Sequence, residues 1–148
     1  MSKELQEKIK SINQRTKELN SIYHLAAARS GVPDGEVAIW SILLDSDEEY
    51  SQRDIALLLS LPIQTVNSTV SNMVKKGHVS LEHNPGTRNR KTIRVTVSGK
   101  QFAEQNVRWI FDAEQKAARQ ASPDDLERLI ELMDGYISCL REELQLDD

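Results

Sequence analysis

Between Ser51 and Gly99 the chain concentrates residues suited to holding a polyanion. From Lys75 to Lys100, one residue past it, stand Lys75, Lys76, Arg88, Arg90, Lys91, Arg94 and Lys100 against one acid, Glu82. The 148-residue chain carries a net charge of −4, so everything outside that stretch sums to −10. A cation cluster on an anionic protein marks a local contact with a polyanion rather than a generally adhesive surface. Just upstream, Gln64, Ser68, Ser71 and Lys75 recur at the spacing of one helix stripe, widened by Thr65, Asn67 and Asn72. Gln and Asn can pair with adenine edges, and Ser and Thr can serve bases or phosphates. With no arginine on this stretch to grip guanine, the stripe predicts an A·T-leaning site with modest direct base readout. A solvated helix face looks similar, but the basic hairpin that follows favours double-stranded DNA.

The elements needed to position these side chains are legible in the pattern. Leu5, Ile9, Ile12, Leu19, Ile22, Tyr23 and Ala26 form one apolar stripe on a long helix ending near Gly31 and Pro33. Asp34 is expected to cap a second helix carrying Val37, Trp40, Leu43 and Leu44, followed by an acidic loop from Asp45 to Glu49. Ser51 and Asp54 form a capping-box-like start for a short helix bearing Ile55, Leu58 and Leu59. Ser60-Leu61-Pro62 forces a turn, and the next helix, about Pro62 to Lys76, is predicted to bury Ile63, Val66, Val70, Met73 and Val74. Two helices joined so tightly place the second where it can enter a major groove. From His78 to Val97 the alternation turns to β around an Asn84-Pro85-Gly86 turn. The tip of this hairpin, with Arg88, Arg90 and Lys91, can reach phosphates or the minor groove. A solubilising charged loop is the alternative for that tip. Helix resumes at Ser98-Gly99, with Phe102, Trp109, Ile110, Ala113 and Ala117 along one face. Ser122-Pro123-Asp124-Asp125 starts a last helix bearing Leu126, Leu129, Ile130, Met133, Ile137, Leu140 and Leu144.

Other chemistries find little support. His78 and His83 lie five apart on a predicted strand and face opposite ways, and no paired Cys or His spacing suggests a metal. Cys139 reads as a packing residue, and a single cysteine permits no internal disulfide, which fits a cytoplasmic protein. No phosphate loop or nucleophile motif suggests an enzyme, no cofactor is implied, and no apolar run is long enough to span a membrane. The composition is that of an ordinary globular protein.

The motifs together resemble the MarR family of winged helix-turn-helix regulators. Asn84-Pro85-Gly86-Thr87-Arg88-Asn89, ending in Val95-Thr96-Val97-Ser98-Gly99, is similar to the family's D-P-x-D-R-R hairpin and L-T-x-x-G close. Thr65-Val66 and Lys75-Lys76-Gly77-His78-Val79 resemble its recognition helix and K-K-G-L-V exit. The departures are Asn84 and Thr87 for two aspartates and Asn89 for the second arginine. Arg90 and Lys91 replace the charge but not the geometry of that group. The resemblance implies a mainly α fold with a small β-hairpin wing: a winged helix-turn-helix domain at 35–98, flanked by dimerisation helices at 1–34 and 99–148. It also implies a homodimer on a pseudo-palindromic operator with half-sites about one helical turn, ~10 bp, apart. A monomeric helical bundle is the alternative for the flanking helices. The implied activity is transcriptional repression, with release by a small aromatic or phenolic effector in a cleft near Tyr23, His24, Trp40 and Trp109. Those four also suit ordinary core packing. A winged-helix protein-interaction module without DNA binding is the rival reading.

Arg88→Ala is expected to weaken DNA binding and to leave dimerisation untouched. Titration of a bound DNA fragment and sedimentation of the same preparation measure the two effects. Unchanged affinity would remove Arg88 from the contact.

Overall fold

A computed structural model describes residues 2–86 and 90–146. The elements are α1 (Lys3–Ser30), α2 (Asp34–Leu43), α3 (Gln52–Leu59), α4 (Ile63–Lys75), β1 (Val79–His83), β2 (Lys91–Val95), α5 (Val97–Asn106), α6 (Arg108–Ala118) and α7 (Pro123–Glu143). The chain divides into two compact units between Ile110 and Phe111. In the first, the core is built from Ile39 and Trp40 of α2, Ile55 of α3, Val66, Val70 and Met73 of α4, and Val107. Burying an aliphatic side chain of this size contributes roughly 1.5–3 kcal/mol. The three buried α4 residues therefore fix which face of that helix turns inward.

Local signals start most of these helices. Ser51 and Asp54 form a full capping box: the Asp54 N–H donates to Ser51 Oγ (3.1 Å) and the Ser51 N–H to Asp54 Oδ2 (2.9 Å). Ser122 caps α7 through the Asp125 N–H, with Pro123 in the first turn. Two expected caps differ. Pro33, rather than Asp34, occupies the N-cap of α2, and the Asp34 carboxylate accepts from His24 Nδ1 (2.8 Å). Pro62 likewise sits at the N-cap of α4, outside the helix it was expected to begin.

Packing corrects other expectations. Leu58, Ile63 and Val74 are exposed within the chain, because α3 and α4 turn narrower faces to the core than their apolar spacing suggests. Val97 leaves the strand pattern, begins α5 and is 78% exposed. The apolar face running from Phe102 to Ala117 is not one helix but two. At Asn106 the carbonyl accepts from the Trp109 indole (3.2 Å), and the Ile110 amide turns to the Val107 carbonyl instead (3.0 Å). With the regular ladder bypassed, Val107 adopts φ −120° and the helix breaks there. Arg108, directly after the break, holds Glu104 by two hydrogen bonds (2.6 and 3.0 Å) and also bonds both carboxylate oxygens of Asp45 in the loop after α2. Trp109 donates to Ser30 Oγ at the end of α1 (2.7 Å), with Arg29 over its ring.

The hairpin pairs β1 and β2 antiparallel, from Val79 opposite Val95 to His83 opposite Lys91. At its base the backbones of two elements almost touch. Thr96 caps α5, accepting from the Gly99 N–H (2.9 Å) while its hydroxyl donates to the Gly77 carbonyl (2.6 Å). The Thr96 N–H donates to the His78 carbonyl (3.1 Å), and a Cβ on Gly99 would stand 1.9 Å from that same oxygen. No side-chain rotation can relieve a clash between backbone and Cβ. Gly99→Ala is therefore expected to destabilise the fold by about 3 kcal/mol or more in urea denaturation. A loss below about 1 kcal/mol would show that the junction gives way easily.

Candidate nucleic-acid interface

α4 turns Val66, Val70 and Met73 inward, which leaves the opposite side to solvent. Gln64, Thr65, Asn67, Ser68, Ser71, Asn72 and Lys75 are all exposed there. Thr69, the remaining polar residue of this run, is half-buried and spends its hydroxyl on the Thr65 carbonyl (3.0 Å). The helix thus presents amides, hydroxyls and one terminal ammonium on a single face.

Against this face lies an open hollow of about 720 Å³, lined by Ser51, Gln52, Arg53 and Asp54 of the α3 start, Ile63 and Asn67 of α4, and Arg90 and Lys91 of the hairpin. Three cations and one carboxylate give it a net positive character. Gln52 and Arg53 escaped the reading of the sequence. Both precede the Lys75–Lys100 stretch by many positions, and nothing local in the sequence brings them to it. Of the expected hairpin cations, Arg90 and Lys91 stand at the hollow, whereas Arg88 lies outside the described residues. The hollow can accept a phosphate-bearing chain beside an α4 that offers hydrogen bonds to bases.

The structure also redistributes the charge. Lys76 reaches back to Glu36 of α2 (3.1 Å), a carboxylate only 1% exposed. Arg94 lies between Glu49 (2.5 Å) and Glu82 (3.0 Å). Arg90 Nη2 donates to Asp54 Oδ2 (2.7 Å). Lys75 and Lys91 form no ion pair with any described residue and are exposed. The cationic surface is therefore smaller and more localised than seven basic residues suggest.

The four aromatic and histidine candidates differ in their surroundings. Trp40 has no exposed surface and belongs to the core, which corrects its expected place on a cleft wall. Tyr23 is exposed on α1, His24 is held by Asp34, and Trp109 spends its indole N–H on Ser30 and Asn106. His78 stacks on Phe102, 4.2 Å between ring centroids. Cys139, expected to pack, is exposed on α7 within the single chain. Among the described residues no group of three or more His, Cys, Asp or Glu is placed to hold a metal ion, and no helix is long and apolar enough to cross a membrane.

No family model and no curated protein matches the sequence. Solved structures do match in fold. NMB1585, a MarR family regulator from Neisseria meningitidis, superposes with a TM-score of 0.82 at 15% identity, covering 95% of this chain and 99% of that one. Staphylococcus aureus MepR in DNA-binding conformation gives 0.72 at 18% identity over 87% of this chain and 95% of its own. A MarR family regulator from Rhodococcus sp. RHA1 gives 0.67 at 15% identity over 91% and 96%. The chain has the winged helix-turn-helix fold seen in these MarR family regulators.

The Ser51 backbone N–H, followed by the Ser51 hydroxyl and the Arg90 guanidinium, holds the Asp54 carboxyl below the usual carboxylate range, against a desolvation that raises it. A depressed folded value means stability that is present above the unfolded value, about 3.9, and lost as pH falls through the folded one. Asp54→Asn should thus be less stable than the native chain above about pH 5 by on the order of 1 kcal/mol, with the gap closing as pH falls through the folded value. Urea denaturation across that range measures it, and a gap independent of pH would refute the assignment.

Proposed function

We propose that this chain is a transcriptional regulator that binds double-stranded DNA sequence-specifically as a homodimer and acts as a repressor. The observation that carries the reading is the exposed amide and hydroxyl face of α4 set beside the cationic hollow. In it, α4 enters the major groove, with Gln64, Asn67 and Asn72 addressing bases. Lys75, Arg53, Arg90 and Lys91, with Arg88, face phosphates and the minor groove. The fold shared with MarR family regulators, among them a MepR structure in DNA-binding conformation, supports the reading.

Dimerisation draws its support from α1 and α7. Leu5, Ile12, Leu19 and Ile22 of α1 are exposed, as are Leu129, Ile130, Met133, Ile137 and Leu140 of α7. Apolar stripes of that length are characteristic of interaction surfaces. A two-fold pair then requires a pseudo-palindromic site. Release by a small aromatic or phenolic effector belongs to the same proposal, acting near Tyr23, His24 and Trp109. Such an effector must bind one spacing of the two reading heads better than another. A second reading, a winged-helix protein-interaction module, is favoured by Leu57 and Leu58 of α3, 75% and 59% exposed on the winged unit.

Selection of genomic fragments on the purified chain at ~150 mM salt tests the proposal. A pseudo-palindrome should be enriched, bound by a species sedimenting as a dimer. Its affinity should fall steeply with salt, and the slope should shrink by about one on Lys75→Ala or Arg53→Ala. No enrichment, with weak salt-sensitive binding alone, would favour the protein-interaction module.

A further inference from the structure

Asp54 is the one carboxylate in the hollow's lining, where electrostatics alone would exclude an acid from a phosphate-facing surface. Its Oδ2 has two partners. It accepts from the Ser51 N–H (2.9 Å), which helps start α3, and from Arg90 Nη2 (2.7 Å), where the hairpin enters β2. The segment leading into α3 also runs beside β2. Glu49 pairs with Arg94 (2.5 Å), and the Tyr50 carbonyl accepts from the Ile93 N–H (2.9 Å). Those two contacts hold the middle of β2, and Asp54 reaches Arg90, the residue just before it. An arginine has five N–H donors in a rigid planar fork. Committing Nη2 to Asp54 aims the donors that remain.

Resting on the DNA-binding reading, we infer that Asp54 is a positioning residue for specificity. It fastens Arg90, and with it the start of β2, to the first turn of α3, so that the hairpin and α4 meet DNA in a fixed relation. The carboxylate opposes indiscriminate phosphate binding while it directs Arg90, so both of its effects raise discrimination between sites. Asp54→Asn keeps the size and an oxygen acceptor for the Ser51 N–H but removes the charge that holds Arg90.

The test compares affinity for a fragment enriched by the native chain with affinity for a scrambled fragment of equal length. Asp54→Asn is expected to lower the ratio of the two about tenfold, through weaker binding of the first and unchanged or tighter binding of the second. Asp54→Glu should restore part of that ratio. In an Arg90→Gln background, Asp54→Asn should change the ratio no further. Independently of DNA, the Asn84 amide, which donates to the Arg90 carbonyl (3.2 Å), should exchange faster in Asp54→Asn and in Arg90→Gln alike.

A ratio held within about twofold, or an equal drop in the Arg90→Gln background, overturns this role and leaves DNA binding standing. A native chain that enriches no fragment overturns the DNA reading and this role with it. Unchanged Asn84 exchange in both variants overturns the tether itself.

Discussion

At the foot of the hairpin, the His78 carbonyl and the Gly99 backbone lie closer than any side chain would allow. The relative placement of the elements of the winged unit passes through this point. α4 ends at Lys75, the chain reverses at Gly77 with φ +77°, and β1 leaves from Val79. Thr96 ties that reversal to the start of α5 with three hydrogen bonds from two groups. The direction of α4, the rise of the hairpin and the departure of α5 are thus set by one backbone contact, and His78 seals it by stacking on Phe102. The constraint is steric rather than electrostatic, so it is insensitive to salt while the surface it supports is not.

That surface is electrostatic economy as much as accumulation. Several of the basic residues of the Lys75–Lys100 stretch serve the fold: Lys76 pairs with one oxygen of a buried carboxylate, and Arg94 bridges two acids. Lys75, Lys91 and Lys100 stay exposed without an ion pair to any described residue, with arginines at the edge of a hollow that the sequence does not advertise. An acidic chain can hold such a patch because the acids nearest to it, Asp54, Glu49 and Glu82, are each paired with a cation.

The sequence revealed what short-range physics determines. The Ser51–Asp54 capping box, the Ser122-Pro123 helix start and the inward face of α4 at Val66, Val70 and Met73 each follow from residues within a few positions of one another. Glu36 with Lys76, Asp54 with Arg90, and Glu49 with Arg94 are separated by dozens of residues, and nothing local distinguishes these acids from others on the surface. The break at Val107 was hidden for a different reason. The apolar period continues through it, while side chains compete for ladder carbonyls there, the Trp109 indole for that of Asn106 and the Asn106 amide for that of Phe102. The exposure of Leu58, Ile63 and Val74 was hidden too, since spacing states which residues share a face but not how much of that face is covered.

The pair formed by Glu36 and Lys76 has a consequence for the history of the chain. The carboxylate is 1% exposed, whereas the ammonium side chain is 44% exposed, so the two ends of the contact are unequal. Losing Lys76 leaves a buried carboxylate without its cation, whereas losing Glu36 returns an ammonium to water. Change at residue 76 is therefore the costlier first step, and an apolar exchange at residue 36 is the one that frees it.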